Sequence, residues 1–417
     1  MPSTTKAWQT IASLLLASLL NGCVSHTVKG TAVPPLAGPA QPIPESVLLD
    51  VGVGIFDPGI ADYDEGEDER IYPEVRKAEA RYMPQLLASV MQDSGAWGAV
   101  RVVPDRQQIT DLHVAGQILA SDGEYLKLRI VAHDAREQLW LDRVYEGHAS
   151  RYAYKSSTRT PGDPFQAVYH SIANDLFKQQ NKLATGDAEK IRVVSEIRFA
   201  QTFSPETFRD YLSRDRKGRY QLERLPARND PMLERIRSIR ERDRLFIDTL
   251  QNYYDGFNAR MASPYQEWRS QTYEEALALQ ELRAESMQRL IGGAVAVAAG
   301  IAAASSNQDG NSGRATRTAG NVAIIGGAYM IKSGLEKRAE AAIHVEALEE
   351  LSLSLEAEIV PHIIELDDRA ITLSGSVEDQ YAQWREILAD IYRTEMGALS
   401  LPPDGVPASD TLNNETF

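Results

Sequence analysis

The side chains best suited to metal binding and to acid–base work near neutral pH are few in this 417-residue chain: seven histidines and one cysteine. The histidines are scattered as His26, His113, His133, His148, His170, His344 and His362. No HExxH pair places two imidazoles on one helical face, so a helical zinc-protease site has no support. No GxSxG elbow, Walker A loop or GxGxxG fingerprint occurs after a strand pattern. His113 and His133 fall inside strand patterns, where a half-buried, hydrogen-bonded histidine is the commoner reading than a ligand. The run Asp62-Tyr63-Asp64-Glu65-Gly66-Glu67-Asp68-Glu69 has the oxygens that a calcium loop uses. Started at Asp62, however, the EF-hand spacing puts Gly66 at a ligand place and Pro73 where a bidentate glutamate closes the site. The run reads as a solvated loop. The expectation is a protein with no catalytic residue, no metal site and no cofactor.

The one thiol points to different chemistry. Cys23 excludes an intramolecular disulfide and a cysteine-based zinc cluster. It follows a leader over residues 1–22 made of Lys6, the apolar run Ile11 to Leu20, and then small or polar residues. An apolar run of about ten residues is too short to cross a hydrocarbon core of roughly 30 Å. Leu20-Asn21-Gly22-Cys23 resembles the bacterial lipobox, although Asn21 stands where alanine or serine is usual. The resemblance implies that Cys23 is acylated and becomes the mature N-terminus, an anchor of three acyl chains. A plain secretory signal followed by a chance cysteine is the alternative. Val24, where an aspartate would retain enteric lipoproteins at the inner membrane, implies the periplasmic face of the outer membrane. Residues 23–46 read as the lipid anchor and a tether with Pro34, Pro35, Pro39, Pro42 and Pro44. In polyproline conformation roughly twenty such residues reach about 60 Å.

Behind the tether the chain reads as α+β. Residues 47–180 give the order β-α-β-β-β-β-α. Val47 to Phe56 is a strand-like run. Glu74 to Gln92 carries Val75, Ala78, Tyr82, Leu86 and Val90 at helical spacing, with Pro84 marking a kink or restart. A short strand over Val100 to Val103 precedes three period-two runs. These are Leu112/Val114/Gly116/Ile118, Leu126/Leu128/Ile130/Ala132 with Lys127 and Arg129 outward, and Leu139 to Tyr145. Asp122-Gly123 and the stretch Asp134 to Glu137 supply the hairpin turns. A helix follows with Phe165, Val168, Ile172 and Leu176 on one side. This order, with the segment GAWGAVRVVP from Gly95 to Pro104, resembles the periplasmic αβ fold of the CsgG, LpoB and TolB N-terminal families. The resemblance implies an envelope setting but carries no catalytic motif.

Residues 187–289 read as a charged helical region in which Leu233, Ile236, Ile239, Leu245, Phe246 and Leu250 interleave with Arg and Glu. With 44 basic against 59 acidic residues the chain carries −15, and no basic stripe tracks phosphates, so nucleic acid is excluded as a partner. Residues 290–334 read as a Gly/Ala-rich helical hairpin. Gly292, Ala296, Gly300 and Ala304 fall four apart in an uncharged run, and Ala323 and Gly327 repeat the feature after a polar loop. Small residues at that spacing allow close helix approach, and the two runs resemble glycine-zipper segments of bacterial envelope proteins. A tight soluble hairpin, an oligomerising or membrane-dipping one, and a pore-lining one are all open. Residues 335–397 read as a helix plus a ββα module, an αββα unit in all. Its ITLSGSVED stretch (371–379) is similar to the core of BON domains, and a plain structural cap on the preceding helices is the other reading. Residues 398–417 are a loose tail.

Together these readings give an expected function: a non-catalytic, lipid-anchored scaffold or partner-binding factor of the cell envelope. It would be held to the membrane through acyl groups and would self-associate or bind another envelope protein. A periplasmic lipid-handling factor or enzyme using a cleft between the αβ and helical regions is the alternative. A secretion-channel component, needing amphipathic membrane-crossing strands, ranks last.

Overall fold

The computed structural model describes residues 25–28, 33–60, 72–104, 108–154, 162–227, 229–304, 346, 350, 362–366 and 369–400. Mixed α+β architecture is what these residues adopt. Strands β2 (Val51–Gly54), β3 (Val100–Val103), β4 (Leu112–Ser121), β5 (Tyr125–Asp134) and β6 (Leu139–His148) make a five-stranded mixed sheet. Ser25–Val28, β1, extends it along β6, giving the order β1-β6-β5-β4-β2-β3. Strand β2 runs parallel to β3 and β4, β4-β5-β6 is an antiparallel meander, and β1 runs parallel to β6 with Ser25 opposite Val144. Helices α1 (Pro73–Asp93) and α2 (Gln166–Gln180) cover one face.

The alternation expected for β4 and β5 is present. Leu112, Val114, Ile118, Leu126, Leu128, Ile130 and Ala132 are fully buried. Outward from the helices, Lys127 pairs with Glu146 at 2.7 Å and Arg129 with Asp142 at 2.9 Å. Those charges make the open face unlike the lipid face of a membrane-crossing strand, and no described helix is long and apolar enough to cross a membrane.

Pro84 does not break α1, which is one continuous helix. Proline lacks the N–H that would bond the carbonyl four residues back. That carbonyl, on Ala80, instead accepts from the backbone N–H of Phe56 at 2.9 Å. The helix also buries two stripes rather than one. Ala80, Met83, Leu87, Val90 and Met91 belong to the sheet core, whereas Val75, Ala78 and Tyr82 join a second cluster with Phe257, Met261, Tyr265 and Trp268.

The Pro-rich stretch is not a free spacer of the length expected. Its described part lies along α2: Asn174 donates to Pro35 O at 3.0 Å, its Oδ1 takes the N–H of Ala37 at 2.7 Å, and His170 Nδ1 lies 2.8 Å from Pro34 O. Two α2 side chains satisfying three backbone groups hold it in place, with Leu36 and Ala37 packed on the core. The reach of about 60 Å is therefore not available.

The charged helical region is also interrupted. Helix α3 (Asp187–Phe203) leads into a β-hairpin, β7 (Leu212–Arg214) and β8 (Tyr220–Leu222), whose turn contains Gly218 at φ +79°. Then comes α4, Pro231–Ala304, 74 residues long. Leu233, Ile236, Ile239, Phe246 and Leu250 are buried as expected, but Leu245 faces solvent. The Gln251 amide of α4 pairs with both the N–H and the C=O of Val102, at 2.9 and 3.0 Å, so the edge strand β3 presents no free ladder there. At the C-terminal side, β9 (His362–Leu366) and β10 (Arg369–Leu373) pair antiparallel, and α5 (Val377–Ser400) packs on α4, with Trp384 stacked on Phe246 at 5.1 Å.

Candidate functional site

Cys23, Ala323, Gly327 and the acidic run 62–69 lie outside the described residues. Gly292, Ala296, Gly300 and Ala304 lie in the last turns of α4, so the first arm of the expected Gly/Ala-rich hairpin continues the preceding helix without a break. His113 and His133 sit opposite each other across β4 and β5, both half-buried. Among the described residues no group of three histidines, cysteines or carboxylates could hold a metal ion.

What the structure brings together instead is a set of buried charges that fasten α4. Arg269, fully buried, donates from Nη1 to Asp163 Oδ2 at 2.7 Å, and its guanidinium lies over the rings of Tyr265 and Phe165 at 4.0 and 4.8 Å. Burial opposes that charge, but Asp163 and the phenols around it outweigh the loss and hold the arginine protonated well above its ordinary range. Glu79, on α1, is also fully buried and accepts from Ser121 Oγ at 2.5 Å and from the Tyr265 hydroxyl. Burial first, then Asp163, pushes the Tyr82 phenol up to about 12. Gly123, in the β4–β5 turn, touches the helix directly: a Cβ there would lie 1.9 Å from the Arg269 carbonyl oxygen.

A second buried charge joins α4 to α5. Asp243 is 4% exposed, with Arg240 on its own helix and Tyr381, Trp384 and Arg385 facing it from α5; the Arg385 guanidinium is 3.9 Å away. Burial, against the two arginines, raises its carboxyl to about 6. A folded-state value above the ordinary carboxylate range of about 3.9 means that the folded form binds the proton more tightly. Stability from this group is thus present below the unfolded value and is lost as pH rises through about 6. The expected loss is roughly 2–3 kcal/mol between pH 4 and pH 7. Urea unfolding at both pH values should show it, and Asp243→Asn should shrink the difference by that amount.

An open cleft of about 430 Å³ lies between the β5–β6 turn, the α2–α3 junction and the β7–β8 hairpin. Arg136 bonds the buried Asp134 at 2.7 Å and approaches Asp187 at 3.5 Å, while Trp140 Nε1 also donates to Asp134 at 3.0 Å. Arg219 spans from Asp215 at 2.6 Å to Gln138 Oε1 at 2.8 Å, and the N–H of Tyr220 donates to Arg136 O at 2.9 Å. The Lys182 ammonium donates to the amide oxygen of Gln179 at 3.3 Å and has no carboxylate partner among the described residues. The Tyr220 ring has the guanidiniums of Arg198 and Arg214 within 4.5 Å. This lining offers no nucleophile beside a base. Its cations and amides can bind an anionic group. Asp215 and Gly218 between Leu212 and Leu222 are the turn signal that marks this hairpin within the stretch expected to be helical. Compared with known proteins, the chain matches no family model, no curated protein and no solved structure.

Proposed function

We propose that this chain is a lipid-anchored scaffold of the cell envelope, tied through Cys23 to the periplasmic face of the outer membrane and acting by binding partners rather than by catalysis. The observation that carries the reading is the way α4 is held. From Leu233 to Tyr273 it is buried against α1, α3, α5, β3 and the β4–β5 turn. The same helix then continues to Ala304, and residues 290–304 contain no charge. A rigid body that carries an uncharged small-residue helix suits presentation of that helix to a second copy or to another envelope protein.

Light scattering of the mature-length chain, residues 23–417 with Cys23→Ser, tests the reading. An assembly that falls to monomer with Gly300→Leu is expected; a wild-type monomer that captures no envelope protein on crosslinking in cells would sink it. The open cleft favours a second reading, a small-ligand or lipid-handling role. A strict monomer that retains a bound lipid through purification would select it.

A further inference from the structure

We propose that the β7–β8 hairpin and the cleft beside it form a surface for anionic phospholipid headgroups of the bilayer that holds the N-terminus. The reading of Cys23 as an anchor underlies the choice of ligand. From Arg214 to Arg219 the hairpin carries four cations and one carboxylate, on a chain of net charge −15. Asp215 is committed to Arg219. Arg216 and Lys217 are exposed at the turn with no carboxylate partner among the described residues, and Lys182 on the cleft wall has none either. The turn is therefore locally cationic on a chain of negative net charge, and that polarity suits an acidic surface.

Topology aims the start of the mature chain toward the end of the sheet that carries this patch. Strand β6 begins at Leu139, next to Gln138, which Arg219 holds. Because β1 runs parallel to β6, its Ser25 end points to that same end of the sheet from a place opposite Val144, about 17 Å along the strand from Leu139. Cys23 is two residues before Ser25, a reach of no more than about 8 Å. With the Pro-rich segment folded back on α2, no long spacer separates the domain from its anchor. A polybasic patch facing an acidic bilayer adds about a fivefold gain in binding for each cation near the surface.

Cosedimentation with vesicles tests the proposal, using residues 23–417 with Cys23→Ser so that no acyl chain contributes. Vesicles of phosphatidylcholine with about one third phosphatidylglycerol should bind the chain, and binding should weaken as salt shortens the screening length. Lys182→Gln, Arg216→Gln and Lys217→Gln together should weaken it by about 100-fold or more. All three sites are exposed, and an unchanged melting curve shows that the variant folds. Equal binding to pure phosphatidylcholine, undiminished binding by the triple variant, or capture of soluble polyglutamate with the acidic vesicles ignored would each overturn it. The mass of the native product reports acylation of Cys23 independently. An acylated protein whose unacylated form ignores acidic vesicles refutes the surface alone; vesicle binding beside an unmodified thiol refutes the anchor alone.

Discussion

Asp163→Ala is expected to lower the free energy of unfolding by about 3–5 kcal/mol, because it strands the guanidinium of Arg269 in the interior without a counter-charge. Arg269 has no exposure, and its Nε and Nη2 find no hydrogen-bond partner among the described residues, where no other carboxylate is placed to take over. Asp163 also accepts the N–H of Phe165 at 2.8 Å, which fixes the entry to α2. Urea denaturation followed by tryptophan fluorescence is a suitable probe, since Trp268 lies one residue away in the same helix. Removing both charges, with Asp163→Ala and Arg269→Met together, should recover much of the loss, as apolar replacements of buried ion pairs often do. A single variant as stable as the wild type would show that the pair does not hold α4.

Gly123→Ala is expected to pry α4 off the sheet. The added methyl would lie 1.9 Å from the Arg269 carbonyl and 2.4 Å from the Tyr273 nitrogen, both backbone atoms that no rotamer change can move. Overpacking of this kind costs about 1–3 kcal/mol or more. The Tyr154 hydroxyl, which donates to Gly123 O at 2.6 Å, would be disturbed as well. Hydrogen exchange should locate the effect, with protection lost over residues 257–273 and kept in β4 to β6. Loss spread evenly over the molecule would mean that the turn and the helix do not act as a separable joint.

Where a residue has one neighbouring layer, its pattern was legible in advance. The meander β4-β5-β6 has helices on one face and solvent on the other, and a period of two records that division directly. The mixed α+β order of this part of the chain was readable for the same reason. Helix α1 was harder because it has two partners. The stripe of Val75, Ala78 and Tyr82 belongs to the contact with α4, and the equally apolar set of Met83, Leu87 and Met91 belongs to the sheet. A single spacing cannot say which neighbour a face meets. The fate of Pro84 depended on a donor at Phe56, 28 positions upstream, which no local window contains. The docked Pro-rich segment was hidden likewise, since its partners His170 and Asn174 lie more than 130 residues away.

The charged positions that now matter most, Asp163, Arg269 and Asp243, carried no sequence signal. Each sits in a helix or loop pattern where a charge ordinarily meets water, and only the packing of distant elements closes over it. The basic turn at 214–219 was legible as composition but was averaged away in a region read as uniformly mixed in sign.

The direction of α4 has one more consequence. Arg244 meets Asp50 at the start of β2, while Arg269 meets the turn after β4, so the helix travels the full length of the sheet. It leaves at the end opposite the start of β1 and rises about 46 Å further between Tyr273 and Ala304. A molecule moored by its amino end would thus hold its glycine-rich stretch out into the compartment like an outrigger. Whatever that stretch recruits would be met at arm's length from the mooring.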